Sequence, residues 1–186
     1  MELDTVNILG RGLGMEDAPK ENCWGINSII FERPVDIHFD MHHVGRMQPH
    51  QIERRLHTIK RANKLNIPVY ACDAPAGTTF IRYPIEEVLK EFPTGFFSTG
   101  VCYMIALALL WKVKELHFYG VNHSRTDLLG EYTMQKPGVD YWLGVCLGRG
   151  VKYTVHGNLA EIGSTFTRET YGYFVPQVEM VNKYSS

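Results

Sequence analysis

Short apolar runs alternate with polar, turn-rich stretches along the chain, and that alternation marks out its elements. Thr5 to Leu9 is a β-prone run that ends in Gly10-Arg11-Gly12-Leu13-Gly14. Cys23 to Asn27 reads as a second strand, and Val35 to Phe39, introduced by Pro34, as a third. Between Gln48 and Leu65 the period changes from two to near 3.6. Ile52, Leu56, Ile59 and Leu65 form an apolar stripe, while Arg54, Arg55, Lys60, Arg61 and Lys64 are assigned to water. Pro49 suits the first turn of that helix, and Asn66 with Pro68 ends it and opens a strand at Val69 to Cys72.

Further along, Ala74 to Thr79 reads as a loop and Ile85 to Phe92 as a short helix between Pro84 and Pro93. Thr99 to Val113 is helical and almost wholly apolar, so it is expected to lie flat on a sheet. Glu115 to Val121 is the next strand, residues 122–133 a polar loop, Val139 to Leu147 a helix, and Val151 to His156 a last β run. The tail from Gly157 has no strong period. Strands separated by helices of this length predict an α/β fold, a Rossmann-like three-layer sandwich around a mostly parallel sheet, with residues 1–186 as one domain.

Composition narrows the class. With 45% hydrophobic and 21% charged residues the chain can bury a real core, which argues against disorder. Nineteen basic residues balance twenty acidic ones, so nothing asks for a nucleic-acid or anionic-membrane partner. The apolar run from Val101 to Trp111 falls short of the roughly 20 residues a membrane span needs. The first residues lack a signal-peptide pattern, and the four cysteines form no C-x-x-C pair. A cytoplasmic protein is expected, with no cofactor or metal assigned and homo-oligomerisation left open.

In open parallel sheets the ligand crevice lies beyond the carboxyl ends of the strands. That rule places five segments near one rim, 10–14, 27–31, 40–46, 73–79 and 121–135, and five groups of residues could carry chemistry. Gly10, Arg11 and Gly12 form a glycine-rich turn where backbone amides can approach a phosphate. Asp36, His38, Asp40 and His42 alternate along one segment, which reads as acid–base machinery, a metal-ligand set or structural hydrogen bonding. Ser98, Thr99 and Gly100 precede the apolar helix as a plain cap or an anion site. Asn122 and His123, then Glu131, Tyr132 and Gln135, follow a strand where substrate contacts are often held. His156 ends the final strand as a candidate base.

The order of several segments resembles a known family. These are Leu9-Gly10-Arg11-Gly12-Leu13-Gly14, Trp24-Gly25-Ile26-Asn27, Ser98-Thr99-Gly100-Val101-Cys102-Tyr103-Met104, and Leu116-His117-Phe118-Tyr119-Gly120-Val121-Asn122. Together they resemble the bacterial sialyltransferases that decorate lipooligosaccharide and the Rossmann-like proteins related to them. Small bacteriophage proteins of unassigned function look similar over nearly the whole chain, sharing segments like Arg33-Pro34-Val35-Asp36 and Asp40-Met41-His42. The resemblance implies metal-independent transfer of a sugar from a cytidine nucleotide. It implies Gly10, Gly12 and Asn27 as nucleotide contacts and the Ser98-Thr99-Gly100 turn as a hold on cytidine or donor. It implies Tyr132 near the phosphate, His156 as the base, and a phage protein acting in the host cytoplasm.

Three functions therefore stand. The first is a nucleotide or nucleotide-sugar binding, glycosyltransferase-like enzyme whose acid–base group comes from Asp40, His42, His123 or His156. The second is a non-catalytic binder that sequesters a host signalling nucleotide. The third is a metal-dependent hydrolase using the Asp36–His42 segment.

Overall fold

The computed structural model describes residues 3–121 and 129–156. Among these residues seven strands form one parallel sheet: β1 (Thr5–Leu9), β2 (Cys23–Ile26), β3 (Ile37–Asp40), β4 (Val69–Ala71), β5 (Ile81–Arg82), β6 (Glu115–Tyr119) and β7 (Lys152–His156). Their order is β5-β4-β3-β2-β1-β6-β7, and every pairing is parallel. The chain walks outward from β1 to β5, then returns to place β6 on the other side of β1. The switch point of this Rossmann-like α/β sheet is therefore the β1–β6 boundary.

Among the described residues four α-helices cover the sheet: α1 (Pro49–Lys64), α2 (Ile85–Glu91), α3 (Gly100–Leu110) and α4 (Leu129–Gly148). One core holds Phe39, Met104, Ile105, Leu107, Phe118 and Trp142, which joins α3 and α4 to one sheet face. The other holds Leu9, Cys23, Ile29, Ile59, Ala62 and Tyr119 beneath α1. Residues of α3 are buried on nearly every side, between the sheet, α2 and α4. A helix so placed needs no polar stripe, which accounts for its apolar sequence. Each fully buried Leu or Ile there contributes about 1.5–3 kcal/mol.

Four local expectations change. Val35 and Asp36 precede β3, which starts at Ile37. The Asp36 carboxylate accepts the Cys23 amide at 2.7 Å and so finishes the edge of β2. Strand β5 is new. It is two exposed residues long, too short for any periodicity to reveal. Helix α4 starts at Leu129, so the second part of the expected loop, with Glu131 and Tyr132, is helical. Pro137 looks like a breaker in sequence, yet it lies inside α4. The segment around it is anchored to the residues before α3, since Ser98 Oγ donates to the Gln135 carbonyl at 2.6 Å and Gly138 sits against Ser98. Finally, Arg55, expected to face water, is only 3% exposed.

Candidate functional site

The carboxyl ends of the strands form one rim, which gathers most of the candidates. At the switch point the glycine turn after β1 meets the end of β6. The Gly10 amide donates to the Tyr119 carbonyl at 2.9 Å and the Gly12 amide to the Gly120 carbonyl at 2.7 Å. A Cβ on Gly10 would lie 2.3 Å from Gly120 O, so only glycine permits the approach. These two amides are engaged by the protein, which differs from the expectation that they face a phosphate. Arg11 projects from the turn and pairs with Glu32 at 2.8 Å.

Next along the rim, Asn27 follows β2 with φ at 57°, in the left-handed region that asparagine tolerates best among residues with a side chain. It is exposed. The start of α3 is pressed onto the same strand end, since a Cβ on Gly100 would lie 2.1 Å from Ile26 Cδ1. Thr99 occupies the cap position, but its side chain makes no capping hydrogen bond. Ser98 is turned instead toward Gln135 in α4. The amino terminus of α3 therefore lies against the last residue of β2 with no side-chain cap; the Cys102 amide donates to the Thr99 carbonyl at 3.0 Å, which leaves the earlier amides of the turn as the donors an anion could use.

The end of β3 carries the densest charge. Asp40 is buried, and its Oδ1 accepts Arg55 Nε at 2.8 Å. Arg55 Nη2 donates to the Asp40 carbonyl, and Nη1 to Asp73 Oδ1 at 2.9 Å. Asp73 also accepts the Val44 amide at 3.1 Å. Burial pushes the Asp73 carboxyl up, but hydrogen bonds from Arg55 and Val44 outweigh it and hold the group below its ordinary value. His42 Nδ1 lies 3.0 Å from Asp40 Oδ1, and its side chain is 56% exposed. His43 Nδ1 lies 3.3 Å from Asp73 Oδ2 and accepts the Gly45 amide at 3.1 Å.

His38 stands apart from its neighbours in sequence. It is 0% exposed, and neither ring nitrogen has a partner among the described residues. Burial lowers its pKa to about 4, against a smaller upward pull from Asp40. Asp40 and His42 pair with each other, whereas Asp36 accepts the Cys23 amide and His38 bonds neither. Among the described residues no three His, Cys, Asp or Glu side chains converge as a metal would require.

At the far end of the rim, His156 Nε2 is 2.9 Å from His117 Nδ1, and its ring stacks on Tyr119 at 4.1 Å. His117 Nε2 in turn approaches Glu115 at 3.5 Å. Burial and the neighbouring His117 lower the His156 pKa, more than Asp17 raises it.

Arg55 and His117 are missed by the sequence pattern, and Asp73 is read only as the start of the rim segment 73–79. Arg55 left a signal. Ile52, Arg55, Ile59 and Ala62 lie three, four and three residues apart, so the arginine belongs to the apolar stripe of α1. A charge there requires a buried partner. Asn122 and His123 lie outside the described residues.

No protein-family model matches the chain, and neither does any curated protein. Among solved structures it is similar to the sialyltransferase CstII from Campylobacter jejuni in complex with cytidine-5'-monophosphate. The two share 15% identity over 98% of this chain and 99% of that one, with a TM-score of 0.50. The sialyltransferase CST-II with a trisaccharide acceptor and CMP aligns at 16% identity, over 97% of this chain and 98% of that one, with a TM-score of 0.48. Identity this low speaks to the fold alone.

Proposed function

We propose that this protein binds a nucleotide or nucleotide sugar at the β1–β3 rim and acts as a glycosyltransferase-like enzyme. One observation carries the reading: the amino terminus of α3, with no side-chain cap hydrogen bond, is packed against Ile26 at the end of β2, directly before exposed Asn27. Amides there suit a phosphate, and the Asn27 side chain suits a sugar or base edge. Thr99 and Gly100 hold the phosphate in this reading. Arg11, Ser98 and Gln135 are assigned to its surroundings in this reading, with Glu131, Tyr132 and Asn122 as further ligand contacts to be tested by substitution, while Gly10 and Gly12 shape the turn rather than donate to the ligand. The CMP complex of the similar fold supports a cytidine nucleotide as the first ligand to try. A phage-encoded protein working in the host cytoplasm is the setting we infer.

Thermal unfolding with CMP, other nucleotides and nucleotide sugars tests this. CMP at 100 times its dissociation constant is expected to stabilise the fold by about 2.7 kcal/mol. Asn27→Ala, at an exposed position, should lose that stabilisation while keeping the ligand-free melting temperature within a few degrees. An unchanged melting curve with every nucleotide would rule the reading out. Stabilisation without turnover of any nucleotide sugar would favour a sequestering protein.

A further inference from the structure

We propose that His42 is the general base of this transfer, acting through Nε2, with Asp40 orienting its ring and Arg55 as a positioning residue behind Asp40. The inference rests on the nucleotide-sugar reading above and names the group that reading left open.

The geometry singles out one nitrogen. Asp40 Oδ1 already accepts Arg55 Nε at 2.8 Å, so the His42 nitrogen 3.0 Å away must be the donor. Nδ1 then carries the proton and Nε2 the lone pair. The orienting carboxylate is buried at 4% exposure and gripped by a guanidinium at 2%, while the imidazole it holds is 56% exposed. The same guanidinium binds the Asp40 carbonyl and the Asp73 carboxylate, which takes the Val44 amide. One buried cation thereby fixes both ends of the segment that carries His42. A base held by a third group is the arrangement acid–base catalysis needs.

The other described rim histidines are less suited. His43 Nδ1 accepts the Gly45 amide, so in the neutral ring its Nε2 is protonated and cannot take a proton. His156 has its Nε2 engaged by His117 and one ring face covered by Tyr119. It also ends β7, four strand spacings from β3, which is about 19 Å. One reacting atom beside Asn27 cannot touch both ends of that span.

The step balances without another reagent. A hydroxyl oxygen, of an acceptor sugar or of water, forms a bond to the anomeric carbon. The bond from that carbon to the nucleotide phosphate oxygen breaks, and its electron pair leaves with the phosphate. The hydroxyl proton passes to His42 Nε2.

Four variants of the full chain, His42→Gln, Asp40→Asn, Arg55→Lys and His156→Gln, separate the outcomes. CMP binding is read by calorimetry, and hydrolysis of CMP-linked sialic acid serves as the donor reaction. His42→Gln is expected to bind CMP as the unmodified protein does and to lose about 10²–10⁴-fold in kcat. Nitrogen-15 NMR of the unmodified protein should show His42 protonated at Nδ1, and Asp40→Asn should shift it toward the Nε2-protonated form. Arg55→Lys, which keeps the charge but not the fork, should mix the two forms and lower kcat more than it changes KM. Near-normal turnover in His42→Gln overturns the proposal, as does loss confined to His156→Gln or an Nε2-protonated His42. A protein that binds no CMP and cleaves no donor overturns the nucleotide reading itself, whatever the tautomer. His42→Gln alters an exposed side chain, so the test survives even if Asp40→Asn or Arg55→Lys does not fold.

Discussion

At the scale of single residues, the telling groups are those whose surroundings contradict their chemistry. His38 is a fully buried imidazole with no partner among the described residues, and burial holds its pKa at about 4 against 6.5 in the unfolded chain. The sign follows from linkage. Above pH 6.5 neither state binds the proton. Between 6.5 and about 4 only the unfolded state does, so stability falls as the pH falls and levels off below about 4. The loss is about 1.4 kcal/mol per pH unit and on the order of 3 kcal/mol in all. Urea unfolding across that range should show it, and His38→Leu should flatten this part of the curve. Gly10 is the opposite case, a residue needed for what it lacks. Gly10→Ala places a methyl group 2.3 Å from a backbone oxygen of the neighbouring strand end. Neither backbone can retreat without breaking the bonds between Gly10, Gly12 and β6, so a cost of about 1–3 kcal/mol or more is expected in chemical denaturation.

At the scale of elements, α1 and α4 show where periodicity informs and where it misleads. The stripe Ile52, Arg55, Ile59, Ala62 was legible, but treating every arginine as solvent-facing hid the most consequential residue in it. Arg55→Ala leaves the buried Asp40 carboxylate without its cation and should cost about 3–5 kcal/mol. Arg54→Ala, at an exposed position one residue earlier, should stay within about 0.5 kcal/mol. Comparison of the two urea midpoints decides between a structural and a solvated arginine. In α4 the polar stretch before Val139 was read as a loop, although the helix starts at Leu129 and contains Pro137. A proline read in isolation ends a helix, whereas here contacts from Ser98 and the close seat of Gly138 hold the segment together. Gly144 of the same helix faces open space, where an added Cβ would meet nothing within 4 Å. Gly144→Ala should therefore raise stability by roughly 0.5–1 kcal/mol, read from the same urea midpoints.

At the scale of the whole molecule, topology converts a list of polar residues into one edge. All seven strands point the same way, so Gly10, Asn27, His42 and His156 emerge on a common rim. Nucleotide binding at the β1–β3 end should slow amide exchange across residues 10–15, 27–31, 40–46 and 98–102. Turns at the opposite end, such as 20–22, 66–68 and 112–114, should exchange as before. Protection at the opposite end instead would move the site off the rim. The local alternation of apolar and polar residues was sufficient by itself for the fold class, six of the seven strands, the buried helix α3 and the loops that gather at the carboxyl rim. Those features depend on short-range period and on burial, which every residue carries in its own side chain. Strand order, the engagement of the Gly10 and Gly12 amides, the Asp40–Arg55–Asp73 bridge and the His117–His156 pair came only with the tertiary structure. Each joins groups distant in sequence, whose distances and desolvation no local pattern encodes. That difference is why the rim could be read along the chain while the tautomer of His42 could not.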